Sequence, residues 1–144
     1  MRKVENTDFD VLFQWRNDEE VIKYSREGKG KTLEEFTKWF EEKINSENPY
    51  MFILEEENKK IGQINFEVVN YESIVNYSVD KDFRNKGYGK VMVKYIEEFI
   101  YDNLEEVRKI VAYVNANNTS SIKIFESLGY TREIDDKHFV KLVK

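Results

Sequence analysis

The chain has 144 residues, a formal net charge of −5, and 40% hydrophobic and 15% aromatic residues, which suits one folded domain with its own core and excludes a disordered chain. There is no cysteine and one histidine, so disulfides, thiolate metal sites and His-cluster metal centres are excluded, and no metal is expected. The acidic balance argues against nucleic acid as a partner, and no apolar run nears the roughly 20 residues that cross a bilayer.

The first ten residues lack the apolar centre of a secretory signal, so a cytoplasmic protein with no membrane partner is expected. Thr7 to Asn17 reads as a first helix, capped by Thr7 or Asp8, with Phe9, Leu12, Phe13 and Arg16 on neighbouring turns. Asp18 to Tyr24 continues as a second short helix, and Ser25 to Lys31 reads as an exposed flexible loop. Thr32-Leu33-Glu34-Glu35 is a capping box that opens a third helix with Phe36, Trp39, Phe40 and Ile44 on one face. After Pro49 the pattern turns to strand: Tyr50 to Glu55, a hairpin connection at Glu56 to Lys59, Lys60 to Val69, a short turn, and Ser73 to Val79. A helix to about Asn103 follows, then a strand from Val107 to Val114 and a short helix from Ser121 to Leu128, ended by Gly129. Tyr130 to Ile134 and His138 to Val143 close the chain as paired strands around Asp135 and Asp136. This order predicts an α/β fold of mixed α+β type, with a mixed sheet and helices on both of its faces. The β-α-β passage near residue 80 should be right-handed and make its two strands parallel.

That passage holds the most informative stretch, Arg84-Asn85-Lys86-Gly87-Tyr88-Gly89-Lys90, between a strand and an amphipathic helix. First-turn amides of a helix have no intrahelical acceptor, and the helix dipole is positive there. Glycines let an anion approach that backbone, and Arg84, Lys86 and Lys90 add charge, so the loop reads as a diphosphate cradle. A glycine pair at a helix start also serves a plain tight turn. A Walker loop is excluded because Val91 follows Lys90, and Met92 stands where a dinucleotide fingerprint needs its third glycine.

Arg84 to Gly89 resembles the Arg/Gln-x-x-Gly-x-Gly/Ala acetyl-CoA signature of the GNAT N-acetyltransferase family. Asn118-Thr119-Ser120-Ser121-Ile122-Lys123-Ile124-Phe125-Glu126-Ser127-Leu128-Gly129-Tyr130 is similar to the family's Asn-x-x-Ser-x-x-x-Tyr-Glu-x-x-Gly-Phe segment, in the family's order. The resemblance covers nearly the whole chain and implies a single acetyl-CoA-dependent N-acetyltransferase domain over residues 1–144, with a mostly antiparallel sheet. It implies acetyl-CoA as co-substrate, its pantetheine arm on Tyr77, Ser78 and Val79, and its pyrophosphate on the amides of Arg84, Asn85, Lys86, Gly87, Tyr88, Gly89 and Lys90. Asn118 would also contact the coenzyme, or simply cap its helix. The start Trp15-Arg16-Asn17, with Gln63 further on, resembles a branch that acetylates amino groups of nucleotide-linked sugars. Similar starts occur in acetyltransferases of protein N-termini and of aminoglycosides. The implied partner is a small-molecule amine; the sequence leaves monomer and homodimer both open.

The family often uses a Tyr of the second motif as the acid that protonates the leaving thiolate, and Phe125 stands in that place. A phenyl ring donates nothing, so the role passes to water or another residue, or the chain binds acyl-CoA without turning it over. Glu67 shares a strand face with Gln63 and Asn65 and is the candidate base, against a plain solvated sheet edge. Glu72 and His138 are further candidates, and Tyr77 and Tyr113 are packing residues whose hydroxyls are possible donors. Trp15 and Trp39 are either core residues or platforms for the acceptor, and Arg16 and Asn17 either orient it or finish the first helix.

Overall fold

The computed structural model describes residues 1–134 and 136–144, with the side chain of residue 134 outside that description. The strands are β1 (Arg2–Lys3), β2 (Tyr50–Glu56), β3 (Lys59–Val69), β4 (Glu72–Val79), β5 (Lys109–Asn115), β6 (Thr131–Ile134) and β7 (Phe139–Val143). They form one sheet in the order β1-β2-β3-β4-β5-β7-β6, antiparallel throughout except where β4 meets β5. The helices are α1 (Phe9–Arg16), α2 (Glu19–Tyr24), α3 (Leu33–Ile44), α4 (Tyr88–Asn103) and α5 (Thr119–Ser127).

Alternation along β2 shows why both faces need cover. Phe52 and Leu54 belong to a large core with Met92, Ile96 and Ile100 of α4 and Phe125 of α5. Ile53, between them, is fully buried on the other face against Leu12 and Trp15 of α1 and Phe36 and Phe40 of α3. The second core is largely aromatic, with Phe9 set edge-on to Phe36 at 5.3 Å and to Phe40 at 5.2 Å.

The expected α/β architecture and the parallel β-α-β pair are present, with differences of detail. β1 has two residues, too few to show a period in sequence. Residues 6–8 form a 3-10 turn, and neither Thr7 nor Asp8 caps α1 through its side chain. Asp8 is fully buried and pairs with Arg2 and Lys60, each at 2.8 Å, while accepting from the Glu5 amide at 2.7 Å. Two cations hold that carboxylate more firmly than a helix amide would. Both hairpin turns are tight: Glu57 and Asn58, and Asn70 and Tyr71, have positive φ, the twist that matches the flanking strands. Of the expected final turn, Asp135 lies outside the described residues.

One feature of the sheet positions the site. β4 pairs with β5 over only three positions, Glu72↔Lys109, Ser73↔Ile110 and Ile74↔Val111. Beyond them β4 stays with β3 as far as Val79, and β5 stays with β7 as far as Asn115. The sheet therefore splits from Val75 onward, and among the described residues one edge of β4 has no strand beside it.

Candidate active site

A cleft of about 830 Å³ follows the split. One wall comprises β4, the loop before α4 and the first turns of α5; the other is built from α1, α2, α3 and the segment linking α2 to α3.

The loop enters from a 3-10 turn at Lys81–Phe83 and passes through left-handed conformations at Asn85 (φ 63°) and Gly87 (φ 87°). Gly87 is the N-cap of α4, and a backbone with that φ favours glycine. Gly89 is needed for a different reason: a Cβ there would lie 2.9 Å from Cε2 of Tyr77 and 3.2 Å from Cδ1 of Ile124. Its absence lets α4 close down on β4 and α5. Among the described residues, none of the amides of residues 85–90 has a protein acceptor. Asn85, Gly87, Tyr88 and Gly89 line the cleft, while Lys86 and Lys90 stand exposed outside its lining. Tyr88 donates its hydroxyl to Glu56 at 3.0 Å.

Arg84 departs from the expected role. Its Nη2 meets Asp18 at 2.7 Å, and its Nε lies 2.9 Å from Glu20 and 3.1 Å from the Val79 carbonyl. The guanidinium is thus a clasp between the loop, β4 and the start of α2, not a free charge above the amides. Asp18 also accepts from the amides of Glu20 and Val21, capping α2. Burial works against its ionisation, but Arg84 and those amides outweigh it and hold the carboxyl below the ordinary range. The clasp also occupies the carbonyl of Val79; alternate residues of β4 turn their backbone groups to β3, as Asp80 does to Ile61, so Ser78 faces β3 and Val75 and Tyr77 are the open part of the β4 edge.

Deeper in the split, Tyr77, Ser121 and Phe125 meet. Phe125 is 1% exposed, with its ring 5.9 Å from that of Tyr77 and 5.0 Å from that of Tyr130. The Tyr77 hydroxyl donates to Ser121 Oγ at 2.9 Å. Burial pushes the Tyr77 pKa up, against a smaller lowering by Ser121, so the phenol is protonated at neutral pH. Asn118 lines the cleft and caps α5, accepting from the Ser121 amide at 3.3 Å.

The sheet face towards α1 and α3 carries a ladder of neutral polar groups. Gln63 donates to Ser78 Oγ at 3.1 Å and to Asn76 at 3.4 Å, and Asn65 donates to Gln63 at 2.9 Å. Glu67 shares the strand but is exposed, is paired with Ile74 towards the hairpin end, and is absent from the cleft lining. Glu72 opens β4 at that same end, and His138 is exposed; neither lines the cleft. Glu67 and Glu72 fall outside because the sheet opens at the opposite end of the β3–β4 hairpin, whereas His138 follows β5 to the open end, its carbonyl bonded by the Ala116 amide and its side chain exposed.

Opposite the ladder, Trp15 is buried at 4% exposure and donates its indole N–H to Asp80 at 2.8 Å. Arg16 lines the cleft and donates to the Lys29 carbonyl at 3.2 Å. Asn17 does not line it: its side chain bonds the Phe13 carbonyl and accepts from the Lys31 amide at 2.8 Å. Residues 25–31, expected as a flexible loop, are therefore tethered by the first helix and by Arg26, which stacks 4.3 Å from the Phe139 ring and pairs with Asp136. Trp39 is 38% exposed at the cleft wall, packed on Phe36 at 5.4 Å rather than sealed in the core. Tyr24, Arg26 and Tyr113 also line the cleft, and no motif marks them in sequence because only the tertiary fold brings them there. No group of three or more His, Cys, Asp or Glu suited to a metal occurs among the described residues, and no helix of theirs is long and apolar enough to cross a membrane.

A sheet split beside an amide-lined loop is a transferase framework shared with known proteins. Residues 1–131 match the family model of the acetyltransferase (GNAT) domain, and the chain belongs to that family as an N-acetyltransferase. It is 27% identical to the uncharacterized N-acetyltransferase p20 of Bacillus licheniformis, over 92% of this chain and 79% of that protein. It is 21% identical to acetyltransferase PseH of Campylobacter jejuni, over 95% of this chain and 85% of that one. The fold is shared with spermidine N-acetyltransferase from Vibrio cholerae, solved with CoA and spermine, at a TM-score of 0.87 and 15% identity over 99% of this chain and 92% of that one.

Proposed function

We propose that residues 1–144 form one domain that transfers the acetyl group of acetyl-CoA to a primary amine of a small molecule. The observation that carries this reading is the row of amides at residues 85–90 without acceptors among the described residues, at the open end of a split sheet. They would take the coenzyme's diphosphate, with Lys86 and Lys90 adding charge from outside and Arg84 holding the loop's shape. The unpaired edge of β4 at Val75 and Tyr77 would hydrogen-bond the pantetheine arm, and Asn118 stands across the split from it. Bound in this way, acetyl-CoA supplies an activated acetyl group.

The chain's own contribution is placement. Holding thioester and amine together supplies much of the rate through proximity, and the acceptor loses its extra proton to water in the cleft. The acceptor side carries Gln63, Asn65, Asn76 and Ser78 below Arg16 and Trp39. Amides and a hydroxyl fit the hydroxyl groups of a sugar, with an aromatic face and a cation for what is attached to it. This supports an amino group on a nucleotide-linked sugar as acceptor, in keeping with the resemblance of the Trp15-Arg16-Asn17 start.

Calorimetry with acetyl-CoA, run beside a thiol-release assay on amino sugars, nucleotide-linked amino sugars, peptides and polyamines, tests both levels. Turnover is expected on the amino sugars. Tight binding without turnover on any amine would overturn the enzyme reading for this site; turnover confined to peptides or polyamines would overturn only the acceptor class.

A further inference from the structure

With Phe125 in the place of the usual acid, we infer that Ser121 is the group that stabilises the departing sulfur, with Tyr77 positioning and polarising it. This rests on the coenzyme placement proposed above. Ser121 lies four residues before Phe125 in α5, hence on the same helix face, one turn closer to the helix start. Both line the cleft, and Ser121 is 7% exposed. The Tyr77 hydroxyl donates to Ser121 Oγ at 2.9 Å, and among the described residues Ser121 donates its own hydroxyl hydrogen to no protein acceptor. That hydrogen is available to the cleft, beside the β4 edge.

The amine nitrogen forms a bond to the acetyl carbon, the carbon–sulfur bond breaks, and its electron pair stays on sulfur. Ser121 meets that developing charge with an O–H···S hydrogen bond. Accepting from Tyr77 makes its hydroxyl a stronger donor. The nitrogen's surplus proton goes to water, and the thiolate takes its proton from water, so neither hydroxyl is consumed. No full proton transfer from an alcohol is required, because a thiol of ordinary pKa leaves readily as the anion.

The test uses the full chain with Ser121→Ala, Tyr77→Phe and the double variants Tyr77→Phe/Ser121→Ala and Ser121→Ala/Phe125→Tyr. Ser121→Ala is expected to lower kcat about 10- to 100-fold, the worth of one hydrogen bond to a charged group, with acetyl-CoA affinity and melting temperature near those of the parent. Tyr77→Phe is expected to lower kcat less, and its effect should vanish in the Ser121→Ala background. Adding Phe125→Tyr to Ser121→Ala should restore turnover by returning a donor to the neighbouring turn.

A readout independent of turnover is the pH dependence of the calorimetric Kd for free CoA. A donor at the sulfur makes the bound thiol more acidic, and Ser121→Ala should reverse this by about tenfold in its ionisation constant. Unchanged kcat and unchanged thiol acidity in Ser121→Ala would overturn the assignment, as would a loss confined to acetyl-CoA affinity. A parent protein that turns over no amine but binds CoA with unshifted thiol acidity would sink both this inference and the enzyme reading; a shifted acidity would leave the Ser121 contact standing alone.

Discussion

Arg84 is where two roles for the same residue give opposite results. As a clasp, its guanidinium joins Asp18 and Glu20 of the α2 region to the Val79 carbonyl. The Asp18 and Arg84 side chains are 17% and 24% exposed, so solvent screens the pair in part. Discounting for that, Arg84→Gln should remove about 1–2 kcal/mol of stability, about 3–8 °C in Tm for a chain of this size. Asp18→Asn should do nearly the same, since asparagine still caps α2 and only the ion pair is lost. The double variant should then be no worse than either single one. Acetyl-CoA affinity, measured by calorimetry, should change less than about fivefold in both, a fraction of what a direct ion pair to phosphate supplies. Acceptor KM should rise instead, because α2 contributes Glu20, Val21 and Tyr24 to the cleft wall. An Arg84→Gln variant that keeps its Tm but loses acetyl-CoA binding by more than about 30-fold, beside a normal Asp18→Asn, would refute the clasp and make Arg84 a direct phosphate ligand.

Gly87→Glu should weaken acetyl-CoA binding at least about 30-fold by adding a like charge beside the amides and a strained left-handed side chain, not by a clash, since a Cβ there meets nothing within 4 Å. Gly87→Ala separates strain from charge, and parental affinity in Gly87→Glu would move the diphosphate elsewhere. Asp8→Ala leaves Arg2 and Lys60 without their buried carboxylate and should lower stability by about 3 kcal/mol in denaturant titrations. The Asp8 pKa is held well below its ordinary value: burial works against this, and the hydrogen bonds from Arg2, Lys60 and the Glu5 amide outweigh it. Its stabilisation is therefore complete above the unfolded carboxylate range, about pH 4–5, and fades as the pH falls through the folded value; Asp8→Asn should flatten that acid slope. Trp39→Ala should raise acceptor KM about 2- to 10-fold with acetyl-CoA affinity unchanged, and the reverse pattern would remove Trp39 from the acceptor site.

Much of this molecule is written locally. The capping box at Thr32, the presence of two hairpins, the strand–loop–helix order around Gly87 and the α/β class follow from short-range chemistry that sequence displays directly. The loop could be read as an anion cradle because its features, glycines and a helix start, are neighbours in the chain. Roles that depend on distant partners could not be read. Arg84 looked like a free cation until Asp18, 66 residues away, was beside it; Asp8 looked like a cap until Arg2 and Lys60 closed on it. Glu67 had the right chemistry and face, yet the place where β4 leaves β5 put the cleft at the other end of its hairpin. Ser121 stands at the serine of the second motif, but its partner could not be read there because the Tyr77 hydroxyl comes from 44 residues earlier. The sequence by itself determined the elements, their order and the amide loop, since each depends on residues within a few positions of one another. Only the tertiary structure decided which side chains face the cleft and which are spent on holding it, because burial and ion pairing are settled by whatever the folded chain brings within hydrogen-bond reach.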